Sequence, residues 1–183
     1  MSEANPTRKA APIRLHIGGH EPRAGWTIMD ALPGPHVDIL GNCRDLSQFG
    51  DGTVDEIYAS HVYEHLSYQN ELIPAFEEAL RVLKRGGIFR IGVPDFDLLC
   101  RLFLLPGQTN EDRNYLMRII MGGQHDEYDY HKAGLWFEQL ETVLKSIGFT
   151  NVQRVKSFGL FQDTTEYLFQ GRRISLNITA YKA

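Results

Sequence analysis

The residues best placed to do chemistry lie in one short run, His61-Val62-Tyr63-Glu64-His65. Its spacing is H-x-x-E-H. On a helix, residues four apart share a face, so His61 and His65 could hold one Zn²⁺ while Glu64 served as base, as in a zinc hydrolase. That reading needs the run to sit inside a helix, and it needs a third ligand. The run instead comes directly after a strand read at residues 56–59, and His125 and His131 are third ligands by count alone. No metal is therefore expected. Two other readings fit the position: one wall of a ligand pocket at a strand end, or a plain polar turn.

Other candidates stand at strand ends too. Gly18-Gly19 closes the first strand and lets a ligand approach the backbone. Asp30 ends the next one, where a carboxylate can accept from two ribose hydroxyls; a solvated strand-end acid is the alternative. Asn42-Cys43 follows the third strand. There an amide oxygen can accept from an adenine amino group and the next N–H can reach a ring nitrogen, or the pair simply makes a β-turn. Asp95 ends the fifth strand and is a candidate base, as are His61 and His131, because imidazole titrates near neutrality.

These positions depend on an alternation of strands and helices. Strands are expected at residues 13–17, 26–30, 37–40, 56–59, 88–93, 152–156 and 176–181. A helix carrying Leu72, Ile73, Phe76, Leu80 and Leu83 should hold Pro74 near its first turn and stop at Gly86-Gly87. Helices are also expected over 96–105, over 111–121 with Asn110 as N-cap, and over 135–147 with Gly148 as the stop. Such an order implies a largely parallel sheet whose ligands bind beyond the carboxyl ends of its strands. If the last two strands pair antiparallel, the long connection 157–175 lies on that ligand side and suits a lid or substrate surface. Only Gly18 to Gly25 separate the first two strands, too few for a crossover helix. A G-x-G-x-x-G dinucleotide helix is thereby excluded.

Composition narrows the partners. The chain has 183 residues, 43% hydrophobic and 23% charged, with a formal charge of −4. This suits one domain, residues 13–183, behind a flexible leader, residues 1–12. No Lys/Arg run exceeds a dipeptide, so nucleic acid is not an expected partner. Two distant cysteines, no signal-peptide core and no apolar run of about 20 residues point to the cytoplasm and away from membranes.

Taken together, these blocks resemble the class I S-adenosylmethionine-dependent methyltransferases, and most of all a small bacterial branch. The resemblance rests on Leu15 to His20, Gly25-Trp26 to Asp30, Val54 to Val62, Arg81 to Gly87, Val93-Pro94-Asp95, Gly122 to His125 and Ile174 to Asn177. It implies a Rossmann-like three-layer α/β/α sandwich with a mostly parallel seven-stranded sheet and an antiparallel last strand. It implies S-adenosyl-L-methionine as cofactor, with Gly18, Gly19 and His20 in the glycine motif, Asp30 on the ribose, Asn42 and Cys43 on the adenine, and Ser60 and His61 near the methionine. Tyr63 would offer the sulfonium an aromatic face. The implied activity is methyl transfer to a small-molecule acceptor such as a sugar, a phenol or a polar metabolite. Two positions depart from the pattern: His20 replaces a glycine, and Asn42 stands where an acid is common. They motivate the alternative of a non-catalytic binding or regulatory protein on the same fold.

Overall fold

The computed structural model describes residues 11–183, so all but the last two residues of the expected leader lie outside the described residues. Seven strands form one sheet: β1 (Arg14–Ile17), β2 (Thr27–Asp30), β3 (Ile39–Leu40), β4 (Val54–Ser60), β5 (Leu83–Pro94), β6 (Phe149–Val155) and the final strand, β9 (Ser175–Lys182). Their order is β3-β2-β1-β4-β5-β9-β6. Pairing is parallel from β3 through β5, and β9 runs antiparallel to both its neighbours. Four helices accompany the sheet: α1 (Leu72–Val82), α2 (Phe96–Leu104), α3 (Asn110–Met121) and α4 (Phe137–Ile147). This is the largely parallel sheet expected from the alternation, in the Rossmann-like form with an antiparallel last strand that the resemblance implies.

Strand periodicity sorts the side chains onto two unlike faces. Leu15, Ile17, Ile57, Ala59, Phe89 and Ile91 point to one face and pack with Phe76 and Val82 of α1 and Leu140 and Leu144 of α4. Each Leu, Ile, Val or Phe among them contributes roughly 1.5–3 kcal/mol by leaving water. On the other face, His16 pairs with Tyr58 across β1 and β4, and Gly92 lies between Ser60 and Asn177. The short early crossovers carry no helix to cover this face. The connection between β6 and β9 covers it instead: the Phe161 ring lies 4.1 Å from His16 and 4.8 Å from Tyr58. That connection folds a small hairpin of β7 (Leu168–Phe169) and β8 (Arg172–Arg173). Phe169 and Ile174 then join α2 and α3 in a second, smaller core.

Two local expectations are corrected. Helix α1 ends at Val82, and Gly86-Gly87 fall inside β5 rather than capping the helix. Buried Leu83 turns extended and pairs with Val54, so sheet pairing takes the chain before the glycines can end the helix. The N-cap of α3 is Thr109, not Asn110; Thr109 and Asp112 satisfy each other's backbone N–H in a capping box. Pro74 sits in the first turn of α1, where its missing N–H costs nothing.

Candidate functional site

A cleft of about 810 Å³ opens beyond the carboxyl ends of β1, β2, β3 and β4. This is a size typical of small-molecule sites. Gly18, His20, Asp30, Asn42, Cys43, Ser60 and His61 line it, seven of the eight residues expected there. Gly19, the eighth, lies just behind the wall.

The glycine pair is required sterically. Gly18 has φ +71°, and a Cβ there would stand 2.5 Å from Val62 Cγ2. A Cβ on Gly19 would stand 2.6 Å from the His16 ring. His20 does not crowd this turn, because its φ is not positive and its side chain is exposed. At the end of β2, Asp30 accepts from the Leu32 N–H through Oδ1 at 2.8 Å, and its second oxygen has no partner among the described residues. Asn42 Oδ1 is spent inside its own turn on the N–H of Arg44, so its amide NH₂ is the group left for a ligand. Burial pushes the Cys43 thiol up to about 12, which keeps it protonated and passive.

The far wall comes from the β6–β9 connection through Phe161, Gln162, Asp163, Thr164 and Tyr167. Sequence reasoning reached this loop only by its length; Phe161 and Gln162 carried no signal. A hydrogen bond fastens the wall to the sheet: Tyr58 donates to Asp163 Oδ2 at 2.7 Å. Burial holds the Tyr58 hydroxyl protonated well above its ordinary range.

Three expected residues have other places. Asp95 is buried away from the cleft, where it caps α2 by accepting from the Leu98 N–H and pairs with Arg154. Its carboxylate is structural. Tyr63 is fully buried, stacked on Phe76 at 4.7 Å, and offers no face to a cation. His131 does not line the cleft but packs behind it on His65, ring centroids 4.7 Å apart.

The H-x-x-E-H run does not form a helical metal motif. Only Tyr63–His65 makes a turn, of 3-10 type, and His61 precedes it with a φ of +55°. Such a conformation costs a non-glycine residue about 1–3 kcal/mol and collects at functional sites. It is held by the His61 N–H to the Gly92 carbonyl at 2.8 Å and by Nε2 on Ser175 Oγ at 2.8 Å. Glu64 is 1% exposed, and His61, His65 and His131 surround it. Burial alone would raise its carboxyl; the three imidazoles outweigh burial and hold it below the ordinary value.

The sheet order, the glycine turn and a cleft at the switch edge define a class of fold, that of the S-adenosylmethionine-dependent methyltransferases. A family profile described as a methyltransferase domain matches residues 29–91. That segment is about a third of the chain, and the chain shares the fold of the class I methyltransferases. No curated protein matches it significantly. Among solved structures, it is similar to the CurJ carbon methyltransferase, with 16% identity, a TM-score of 0.57, and coverage of 99% of this chain and 50% of that one. A methyltransferase from Archaeoglobus fulgidus aligns with 17% identity, a TM-score of 0.58, and coverage of 95% and 87%. The YcgJ protein of Bacillus subtilis aligns with 15% identity, a TM-score of 0.55, and coverage of 94% and 92%. The chain thus spans half the length of the CurJ chain and most of the other two. Among the described residues, no helix is long and apolar enough to cross a membrane.

Proposed function

We propose that the chain binds S-adenosylmethionine in this cleft and transfers its methyl group to a small-molecule acceptor. One observation carries the reading: the ends of four neighbouring parallel strands bring a glycine turn, a carboxylate and an amide to one cleft. The cleft lining fits the cofactor in its chemistry: Asp30 has a carboxylate oxygen without a partner among the described residues, and the Asn42 amide NH₂ is left for a ligand. Bound there, the cofactor supplies an already electrophilic sulfonium methyl group.

The chain's residues then have to bind, orient and keep the site dry. Gly18 and Gly19 offer backbone, Asp30 offers an acceptor for ribose hydroxyls, and Asn42 with Cys43 flank the base. Ser60 and His61 end β4 beside the methionine portion. His61 Nε2 is engaged with Ser175, and Nδ1 faces Glu64 at 3.2 Å, which suits a positioning role. The segment carrying Phe161 and Asp163 closes the opposite side.

Calorimetry with S-adenosylhomocysteine tests the proposal. Binding in the micromolar range is expected. No heat of binding at millimolar ligand would overturn it.

A further inference from the structure

Beside the cleft, three imidazoles meet around one buried carboxylate. Glu64 is 1% exposed, and neither of its oxygens has a hydrogen-bond partner among the described residues. His61 Nδ1 stands 3.2 Å from Glu64 Oε1, and His131 Nε2 stands 3.9 Å from the same oxygen. Ligand atoms of Glu64, His65 and His131 all lie within 4.8 Å of one another.

In the neutral rings of His65 and His61, the hydrogen bonds at the back set which nitrogen carries the proton. His65 Nδ1 faces the Tyr130 carbonyl at 3.2 Å. A carbonyl only accepts, so Nδ1 carries the proton and Nε2 is bare. Ser175 gives its one hydroxyl hydrogen to the Thr164 carbonyl and therefore accepts from His61 Nε2–H. In the neutral ring this turns a bare Nδ1 toward the carboxylate. A buried carboxylate facing bare nitrogens is repulsive unless positive charge lies between them. The backbone holds the arrangement in place: Lys132 and Ala133 donate to the Glu64 carbonyl at 2.8 and 3.1 Å, which sets His131 against the turn.

We propose that Glu64, His65 and His131 hold one divalent first-row cation of the zinc type, whose open coordination position takes the oxygen of a hydroxyl-bearing acceptor. Imidazole and carboxylate are zinc donors, and three protein ligands with one open position mark catalytic rather than structural sites. Ligands on a tetrahedral zinc stand about 3.4 Å apart, and His131 Nε2 stands 3.9 Å from Glu64 Oε1. Of the three ligands, His65 lines the cleft, which puts the ion beside it. The acceptor half of the proposal rests on the methyl-transfer reading; the ion half does not. On binding, the hydroxyl loses its proton to solvent. Its oxygen pair then makes the new carbon–oxygen bond as the methyl carbon–sulfur bond breaks, and that bond's pair stays on sulfur.

Chelator-treated protein, titrated with Zn²⁺ in a calorimeter and with Co²⁺ by visible absorption, gives the test. One ion per chain is expected, with the visible bands of protein-bound cobalt. Glu64→Gln and His131→Ala should each weaken zinc by at least ~100-fold, since even second-shell losses reach that scale. His36→Ala, an exposed histidine on the β2–β3 connection, should leave zinc binding unchanged. Circular dichroism establishes that each variant is folded, and S-adenosylhomocysteine titration of the same samples reads the cofactor site separately. Wild type without stoichiometric zinc, or variants that bind it equally well, would overturn the ion site. Zinc bound and lost on mutation, with no homocysteine derivative bound, would instead sink the methyl-transfer reading and leave the ion standing.

Discussion

His16 sits inside an aromatic box and cannot easily take a proton. It is 2% exposed, packed by Phe161, Tyr58 and Trp26, and its Nδ1 has no partner. Burial lowers its pKa to about 4 from 6.5. The folded value is the depressed one, so its contribution is complete above pH 6.5 and is lost as pH falls through 4. The span corresponds to about 3 kcal/mol. Chemical denaturation between pH 7 and 4 should show that loss, and His16→Phe should flatten this part of the curve. An unchanged slope in the variant would assign the acid sensitivity elsewhere. Asp30 is the residue whose role is easiest to isolate. Asp30→Ala removes a charged acceptor worth about 1.5–3 kcal/mol, so S-adenosylhomocysteine should bind roughly 10- to 100-fold more weakly by calorimetry. Equal affinity would remove the ribose assignment. At this scale the sequence was most legible where backbone geometry demanded a residue type. Gly18 and Gly19 could be read from their place after a strand, and the exposed, non-strained backbone of His20 explains why a third glycine is dispensable. Tyr63 misled because its chemistry suggested a cation face, while its packing put it in the core.

Elements were legible wherever period and punctuation agreed. The helix-ending Gly148, at φ +113°, and the strand ends at Ile17, Asp30 and Ser60 follow local rules. The end of α1 did not, because pairing of Leu83 with Val54 is a contact between residues far apart in sequence. The β6–β9 connection was harder still. Its length announced a surface, but nothing local says that it replaces missing helices over the β1–β4 face. Gly92 shows how closely it packs: a Cβ there would lie 2.4 Å from Thr165 Cγ2 and 3.0 Å from Asn177 Oδ1. Gly92→Ala should therefore lift the segment, cost about 1–3 kcal/mol in urea unfolding, and speed amide exchange around Phe161 to Thr165. Normal exchange in that segment would mean the packing yields elsewhere.

The molecule as a whole places the candidate cleft, loop wall and histidine cluster on one edge of a single sheet. A ligand that bridges β1, β2, β3 and the β6–β9 connection stabilises all of them together. At a hundred times its dissociation constant, S-adenosylhomocysteine should add about 2.7 kcal/mol, or roughly 5–10 °C in Tm for a chain this long. Differential scanning calorimetry checks it, and a Tm that ignores saturating ligand would contradict binding to the folded cleft. The sequence by itself determined the order of strands and helices, the glycine turn and the strand-end Asp30, since each follows from periodicity or from φ/ψ limits within a few residues. It also exposed the H-x-x-E-H run but could not supply its partner. Only the tertiary structure brought His131 against Glu64 and His65, moved Asp95 to a helix cap, and laid Phe161 over His16. Those pairings join residues many tens of positions apart. They are decided by which surfaces the sheet leaves open, and no local spacing records that.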